Sequence, residues 1–267
     1  MGILNVTPDS FSDGGRFLSI DDALRRTEEM LAEGADVIDI GGESTRPGSE
    51  RVSADIEASR VVPIIESISQ RFDIPTSVDT SKAKVALAAV NAGAEIINDI
   101  SGLRWEPGIA EIAANAGTGL ILMHSRGEFD TMHSQPAVEN ILTDVAADFH
   151  RSIAIARAAG VADENIVLDI GIGFGKTFEQ NLELIAKLDK LVGEFESYPL
   201  LVGASRKSFI GKILGGVPAD QRLAGSLAVA ALAVQLGAKI IRAHDVRETV
   251  DAVTTAVAIR EQESNVD

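Results

Sequence analysis

Short apolar runs rich in β-branched residues recur along the chain, and segments with the 3.6-residue periodicity of a helix separate them. No hairpin signal joins neighbouring runs, so the pattern predicts parallel strands that alternate with helices. The eight predicted strands are Gly2–Val6, Val37–Ile40, Thr76–Val78, Glu95–Asn98, Leu120–Met123, Ile166–Leu168, Leu200–Val202 and Lys239–Ile241.

Three of these strands are introduced by related sequences. EGADVIDIGG (33–42), AGAEIINDIS (92–101) and LGAKIIRAHD (236–245) share Gly-Ala, then an apolar pair followed by a polar residue. Helical periodicity precedes them, for example over 21–33 and 82–91. The glycine is therefore expected to end a helix directly before each strand begins.

Eight strand–helix units in 267 residues predict an α/β fold, a (β/α)8 TIM barrel that forms a single domain over residues 1–267. Strands that are apolar on both faces suit a parallel sheet covered by helices. A doubly wound open sheet is the alternative. In a barrel, side chains that bind ligands lie where the strands end and the following loops begin.

Composition and charge narrow the class of protein. The chain has no cysteine, which excludes disulfides, thiol catalysis and cysteine-based metal sites. A net charge of −16 argues against a nucleic-acid partner. The longest apolar stretch, Leu223–Ala238, is too short to cross a bilayer and is predicted to be a buried helix. No signal peptide is visible, so we expect a cytoplasmic protein without a membrane partner.

The stretch DIGIGFGKT, residues 169–177, resembles a nucleotide-binding loop at first sight. Its glycines are one residue out of place for both the Walker loop and the dinucleotide fingerprint. We therefore interpret it as a tight turn between a strand and a helix, in which Thr177 and Gln180 form a capping box. The glycines would also let the chain pass close to a ligand held by Asp169.

Polar side chains follow nearly every predicted strand. Amide and carboxylate groups suit a flat polar heterocycle, and the cationic or donor groups suit an anion. For Asp39 the cap of a helix is an alternative role that needs no ligand. The sequence thus predicts a pocket for a ring and an anion. The residues at the strand ends are Asn5, Asp39, Asp79, Asn98, His124, Asp169, Ser205, Lys207, Arg242 and His244.

Seven segments in order resemble the signatures of the dihydropteroate synthase family and span nearly the whole chain. They are MGILNVTPDSFSDGG, DIGGESTRPG, SVDTSK, INDISG, GFGK, LVGASRKSFIG and RAHDVRET. The resemblance implies a barrel enzyme of folate biosynthesis, a transferase that is the target of sulfonamides. It would join p-aminobenzoate to 6-hydroxymethyl-7,8-dihydropterin diphosphate, release diphosphate and use Mg²⁺. Family members are commonly homodimers.

The resemblance also implies the role of individual residues. The residues implied to be catalytic are Asp79, Asp169, Lys207, Arg242 and His244. Those implied to bind the pterin diphosphate are Asn5, Asp79, Asn98, Met123, Asp169, Phe174, Lys207, Arg242 and His244, with Asn5 also contacting Mg²⁺. Those implied to bind p-aminobenzoate are Phe11, Thr45, Arg46, Pro47, Ser205 and Lys207.

Two other functions share the barrel. A pterin-binding methyltransferase of the methyltetrahydrofolate type would keep the carboxylate–amide clamp but would need a corrinoid partner and no diphosphate site. Arg242, His244 and the run Ser205-Arg206-Lys207 favour the synthase. A catalytically idle pterin-binding protein is the other possibility, and nothing in the sequence favours it.

His124 and His133 could suggest a metal pair, but we interpret them as structural or surface residues, since no third ligand accompanies them.

Overall fold

The chain is described here from a computed structural model, which covers residues 1–7, 19–46 and 48–263. These residues form eight strands in one parallel sheet with the order β1 to β8. The strands are β1 (Gly2–Asn5), β2 (Ile38–Gly41), β3 (Thr76–Asp79), β4 (Ile96–Asp99), β5 (Gly119–Met123), β6 (Ile166–Asp169), β7 (Leu200–Val202) and β8 (Ile240–Ile241).

The two edges of this sheet meet and close a barrel. Residues 2 and 243 form a parallel bridge. The Ile3 amide donates to the Ala243 carbonyl and the Ala243 amide donates to the Met1 carbonyl, both at 3.0 Å. The predicted (β/α)8 barrel is therefore confirmed, and the open-sheet alternative is wrong. The assignment of residues 1–267 to one domain stays a prediction, because residues 8–18, 47 and 264–267 lie outside the described part.

Helices follow each strand and cover the outside of the barrel. The helices within the described ranges are α1 (Ile20–Ala32), α2 (Ala54–Arg71), α3 (Ala83–Asn91), α4 (Gly108–Ala116), α5 (Ile141–Ala158), α6 (Phe178–Ala186), α7 (Leu188–Glu194), α8 (Ser208–Ile213), α9 (Leu223–Gln235) and α10 (Val246–Glu263). In all three related sequences the expected glycine follows a helix with positive φ: 94° at Gly34, 108° at Gly93 and 103° at Gly237.

The alternation of side chains along each strand separates the core from the site. Ile38 and Ile40 of β2 are fully buried in the hydrophobic cluster shared with the helices. Asp39 and Gly41, one residue further along in each case, lie on the opposite face and therefore point into the barrel. The same alternation places polar side chains inside the barrel at the ends of β1, β3, β4 and β6. Burial of the outward-facing residues thus fixes which polar groups point inward.

The apolar helix α9 ends at Gln235, three residues before the predicted end. Its buried residues are Ser226, Ala230, Ala233 and Val234, whereas Leu232 is 54% exposed. The helix is therefore only partly buried, contrary to the prediction. Within the described ranges, no helix has both the length and the apolar character needed to cross a membrane.

Candidate active site

Strand register brings the first group of polar side chains together. Asn5 is paired with Gly41, Gly41 with Asp79, and Asp79 with Asn98 in successive strands. A Cβ atom added to Gly41 would lie 3.5 Å from Asn5 Oδ1 and 3.7 Å from Asp79 Cβ. Gly41 therefore keeps open the space between these two side chains, at the end of the barrel where the strands end.

Arg242 reaches this group from the opposite edge of the sheet. Its Nε donates to Asp39 Oδ2 at 2.6 Å, and its Nη2 donates to Asp79 Oδ2 at 2.8 Å. Burial raises the pKa of Asp79 to about 7, although Arg242 opposes this shift; the Asp39 and Asp169 carboxylates add to it. Asp39 is fully buried within β2 and accepts from Arg242 and Asn98, so the alternative role as a mere helix cap is wrong.

Asn98 and Asp169 offer hydrogen-bonding groups to a ligand. Asn98 is 3% exposed and its Nδ2 donates to Asp39 Oδ2 at 3.2 Å. Its Oδ1 is buried and has no partner among the described residues. Asp169 Oδ1 accepts from the Gly171 amide at 2.7 Å, and burial raises the pKa of this carboxyl group. A buried acceptor without a partner suits a ligand that presents N–H groups.

The turn after β6 explains most of the glycines in DIGIGFGKT. All three have positive φ, and the predicted capping box of Thr177 and Gln180 is confirmed. A Cβ at Gly171 would lie 1.8 Å from the His124 carbonyl oxygen, and one at Gly175 would lie 2.5 Å from Arg126 Cβ. These two glycines allow close contact with the end of β5, not with a ligand as we expected. Gly173 instead faces Lys207, whose Cδ would lie 3.3 Å from its Cβ.

Lys207 lies against this turn. Its ammonium group is 4.5 Å from the centre of the Phe174 ring and donates to the Ile172 carbonyl. Burial lowers the pKa of Lys207 to about 8, and Asp169 opposes the shift by favouring the charged form. Lys207 therefore carries positive charge beside Asp169 at neutral pH.

Ser205 and His244 form a second polar pair. Ser205 Oγ lies 3.0 Å from His244 Nδ1 and accepts from the His244 amide at 3.2 Å. Burial lowers the pKa of His244 to about 3, and the charges of Arg242 and Arg206 add to this effect. His244 is therefore neutral at pH 7 and can serve as a donor but not as a cation. Arg206, between Ser205 and Lys207, has a φ of 59° and pairs with Asp245 instead of facing the site.

The remaining predicted residues lie at the edge of the site or outside the described residues. The Thr45 carbonyl lies 2.7 Å from His133 Nε2, so the loops after β2 and β5 are in contact. Arg46 is exposed, and its charge contributes to lowering the pKa of His244. Met123 is 3% exposed and is paired with Asp169. Phe11 and Pro47 lie outside the described residues.

The two histidines that could have suggested a metal pair have separate partners. His124 is buried and its Nε2 lies 3.1 Å from Asp144 Oδ2, whereas His133 is exposed. Within the described part of the chain, no cluster of three or more His, Asp or Glu side chains could hold a metal ion. The interpretation of both as structural or surface residues agrees with these contacts.

Sequence reasoning named Asp39 at a strand end without assigning it a role in the site, and it missed Lys176 and a buried ion network. Asp39 was visible as a carboxylate in the middle of an apolar strand, and that signal could have identified it. Lys176, in the turn after β6, was not among the candidate residues. A buried network joins Lys82 to Glu43 at 2.8 Å and also to Glu57. Nothing in the local sequence pairs the members of this network, which are 25 and 39 residues apart.

Comparison with known proteins shows the family to which this chain belongs. Residues 1–244 match the pterin binding enzyme family, and the chain belongs to that family. It is 48% identical over 267 residues to the dihydropteroate synthase of Escherichia coli K12, a match that covers 99% of this chain and 93% of the relative. Within the family, the chain belongs to the dihydropteroate synthases, so the predicted family and transferase class are confirmed.

Solved structures agree with this assignment. A Yersinia pestis dihydropteroate synthase in complex with a sulfonamide drug has a TM-score of 0.91 at 49% identity, covering 98% of this chain and 93% of the other. A Clostridium difficile dihydropteroate synthase determined in the presence of pteroic acid has a TM-score of 0.90 at 43% identity, covering 97% and 95%.

Asp169→Asn should weaken pterin binding by about ten- to a hundredfold, equivalent to about 1.5–3 kcal/mol. The asparagine oxygen can still accept from Gly171, but its amide then presents a donor where the carboxylate presented an acceptor. Calorimetry with an unphosphorylated pterin measures the effect. Asp99→Asn is the buried control, because Asp99 accepts from the Ser101 and Leu103 amides. Unchanged affinity in folded Asp169→Asn would remove Asp169 from the clamp.

His124→Gln should flatten the acid dependence of stability. Burial lowers the pKa of His124 to about 3, against an ordinary value of 6.5. Between these values the unfolded chain binds a proton that the native state does not, so stability falls as pH falls, by at most about 1.4 kcal/mol per pH unit. Urea unfolding from pH 4 to 7 measures the slope. The raised pKa of Asp79 makes stability change with pH in the opposite direction. Because this contribution is present in both proteins, the slope of the variant is compared with that of the wild type.

Glutamine can still donate to Asp144, which preserves the hydrogen bond while removing the titration. His150→Gln is the control, because the His150 side chain is 65% exposed. The same slope in His124→Gln as in the wild type would show that His124 does not carry the acid dependence.

Proposed function

We propose that the chain joins p-aminobenzoate to 6-hydroxymethyl-7,8-dihydropterin diphosphate and releases diphosphate. The observation that carries the proposal is the arrangement of Asp79, Asn98 and Asp169 at one end of the barrel, beside Arg242 and Lys207. Acceptors and a donor for a flat ring thus adjoin cationic groups for an anion.

In this proposal each group of side chains has a separate task. Asp79, Asn98 and Asp169 bind the pterin ring, with Met123 and Phe174 as apolar walls. Arg242, His244 and Asn5 bind the diphosphate, and Lys207 contacts the pterin beside the amine. Ser205, Thr45 and Arg46, together with Phe11 and Pro47, form the p-aminobenzoate pocket.

Magnesium fits this set of donors through Asn5. The Asn5 amide at the end of β1 is half-buried, and its oxygen would be one ligand of the ion. Mg²⁺ commonly takes few ligands from protein and the rest from substrate phosphates and water. When bound, the ion would neutralise charge on the departing diphosphate.

The reaction requires little proton transfer from the protein. The bond between the pterin methylene carbon and the diphosphate oxygen breaks, and the electron pair leaves with the diphosphate. Arg242 and a hydrogen bond from His244 stabilise that developing charge. The neutral aromatic amine attacks the methylene carbon, and the nitrogen, now positively charged, loses its proton to solvent. The chain therefore acts mainly by holding the two substrates in line and excluding water.

The test follows the product directly. The purified chain is incubated with the pterin diphosphate, Mg²⁺ and p-aminobenzoate, and dihydropteroate is measured. A sulfonamide, whose sulfonyl group imitates the carboxylate, should compete with p-aminobenzoate and bind more tightly when pterin and diphosphate are present. Absence of product and of competition would overturn the proposal and favour the methyltransferase.

We also propose that two copies form a homodimer through α9 in the cytoplasm. Ala224, Ala228 and Leu232 are exposed at intervals of four residues along this helix. Ile259 on α10, which packs against α9, is 57% exposed. Exposed apolar residues on two helices that pack together are typical of a subunit interface. Sedimentation of the wild type and of Leu232→Glu tests the proposal, and a wild-type monomer at all concentrations would exclude it.

A further inference from the structure

Lys176 is a half-buried lysine whose ammonium group is bonded to backbone carbonyls. Its Nζ donates to Gly171 O at 2.7 Å, to Phe174 O at 3.0 Å and to His124 O at 3.2 Å. An ammonium group has three N–H donors, so these contacts use its full donor capacity. Burial lowers the pKa of Lys176 well below its ordinary value, and the charge of Lys207 adds to this effect. The three carbonyl acceptors oppose it, because hydrogen bonds from a charged donor are stronger than those between neutral groups.

The three carbonyls belong to two different strand ends. Gly171 and Phe174 lie in the turn between β6 and α6, whereas His124 directly follows β5. Lys176 therefore joins the turn to the neighbouring strand. The turn contains three glycines with positive φ. A turn so rich in glycine would retain many backbone conformations without such a bond.

Two other side chains hold the same turn from different sides. Asn181 Oδ1 accepts from the Gly173 amide at 2.6 Å, and its Nδ2 donates to Thr177 O at 2.7 Å. Arg126 Nη1 donates to Gly175 O at 2.9 Å. Backbone groups of four residues of the turn, 171, 173, 174 and 175, are thus bound by side chains.

The position of the turn determines the position of the groups that face the pterin. The Gly171 amide donates to Asp169, and the ring of Phe174 lies beneath Lys207. Lys207 also donates to Ile172 in the middle of the turn. A displacement of the turn would therefore move the contacts of Asp169, Phe174 and Lys207 together.

We propose that Lys176 is a positioning residue for pterin binding, which acts by holding the turn between β6 and α6 against the end of β5. It acts through the backbone and does not touch the substrate. The inference rests on the proposed function, because it assigns the turn to the pterin side of the site.

The test compares variants of Lys176 in the full chain. Lys176→Met keeps the length of the side chain and removes every donor, so pterin affinity should fall by about tenfold or more. Lys176→Gln restores two N–H donors without the charge and should recover part of the loss. The KM for p-aminobenzoate should rise less than the Kd for the pterin, because Lys207 is the one described residue assigned to that pocket that contacts the turn.

Lys212→Met is the matched control. Lys212 is exposed, and its Nζ lies 4.1 Å from the centre of the Phe178 ring at the start of α6. Removing it takes one positive charge from the same neighbourhood without releasing a carbonyl of the turn. Its pterin affinity should equal that of the wild type.

The outcomes separate positioning from a general loss of stability. Calorimetry with 6-hydroxymethylpterin gives the affinity, and thermal unfolding gives the stability. A lower melting temperature with unchanged pterin affinity in Lys176→Met would overturn the inference, as would equal losses in the glutamine and methionine variants. If both variants fail to fold, Asn181→Ala tests the same turn, and wild-type pterin affinity there would also overturn it. Wild-type protein that binds no pterin would overturn the proposed function instead.

Discussion

Arg242→Ala should bind the pterin diphosphate about thirty- to several-thousandfold more weakly, equivalent to about 2–5 kcal/mol, the usual cost of truncating one partner of a buried charge pair. The affinity of the variant for an unphosphorylated pterin should fall much less. The difference arises because only the diphosphate requires the positive charge, whereas both ligands contact the ring clamp. Calorimetry with the two ligands on one variant measures the effect.

The same substitution should also lower stability. Arg242 is bonded to Asp39, which is fully buried, and to Asp79, which is 19% exposed. Without Arg242, two neighbouring carboxylates lack their counter-ion, which commonly costs about 3–5 kcal/mol. Burial already raises the pKa of Asp79 to about 7, so proton uptake should relieve part of this cost at low pH. The variant should therefore lose more stability at pH 8 than at pH 5.

Three further variants make the Arg242 result interpretable. Arg242→Lys retains the charge but not the planar fork, so an intermediate loss is expected. Arg247→Ala removes an exposed arginine from the start of α10 and should leave both affinities unchanged. Asp39→Asn combined with Arg242→Ala should recover stability without recovering diphosphate binding. Equal losses for the two ligands in Arg242→Ala would remove Arg242 from the diphosphate site.

Lys82→Met should lower the free energy of unfolding by about 3–5 kcal/mol, because it leaves two buried carboxylates without their cation. The side chains of Lys82, Glu43 and Glu57 are 6%, 7% and 1% exposed. Burial raises the pKa of Glu57 even with the lysine present. Removal of the lysine should raise that pKa further, so the loss of stability should be smaller at pH 5 than at pH 8.

Lys84→Met is the matched control for this prediction. Lys84 pairs with Asp55, but the two side chains are 66% and 79% exposed, so the loss should be below about 1 kcal/mol. Urea unfolding of both variants measures the difference, and Lys82→Met with Glu57→Gln should recover part of the loss. Similar losses for Lys82→Met and Lys84→Met would show that the buried network contributes no more than a surface pair.

The buried network also has a consequence for substrate binding. Glu43 Oε1 accepts from Lys82 and, at 2.7 Å, from the Val52 amide. Glu43 thus holds both ends of the loop that contains Thr45 and Arg46. In the proposed function this loop contributes to the p-aminobenzoate pocket, so Lys82→Met should raise the KM for p-aminobenzoate more than that for the pterin.

Local patterns in the sequence determined the barrel. The apolar runs predicted all eight strands to within one residue at each end, because the strand positions that the helices cover are buried and therefore mostly apolar. The glycines before β2, β4 and β8 and the capping box at Thr177 are equally local, since each depends on neighbours within a single turn of helix. Once a barrel is predicted, its topology brings the ends of all strands together, which made Asp79, Asn98, Asp169 and Arg242 members of one candidate site.

The partners of these side chains were decided only by the tertiary structure. Arg242 meets Asp39 and Asp79, which are 203 and 163 residues away, because closure of the barrel brings β8 next to β1 and across from β2 and β3. The His124 carbonyl leaves no room for a side chain at Gly171. Lys176 donates to three carbonyls on two strand ends. Such contacts depend on which buried donors and acceptors face each other across the fold. A local pattern of residue types carries no information about that pairing, so the geometry had to supply it.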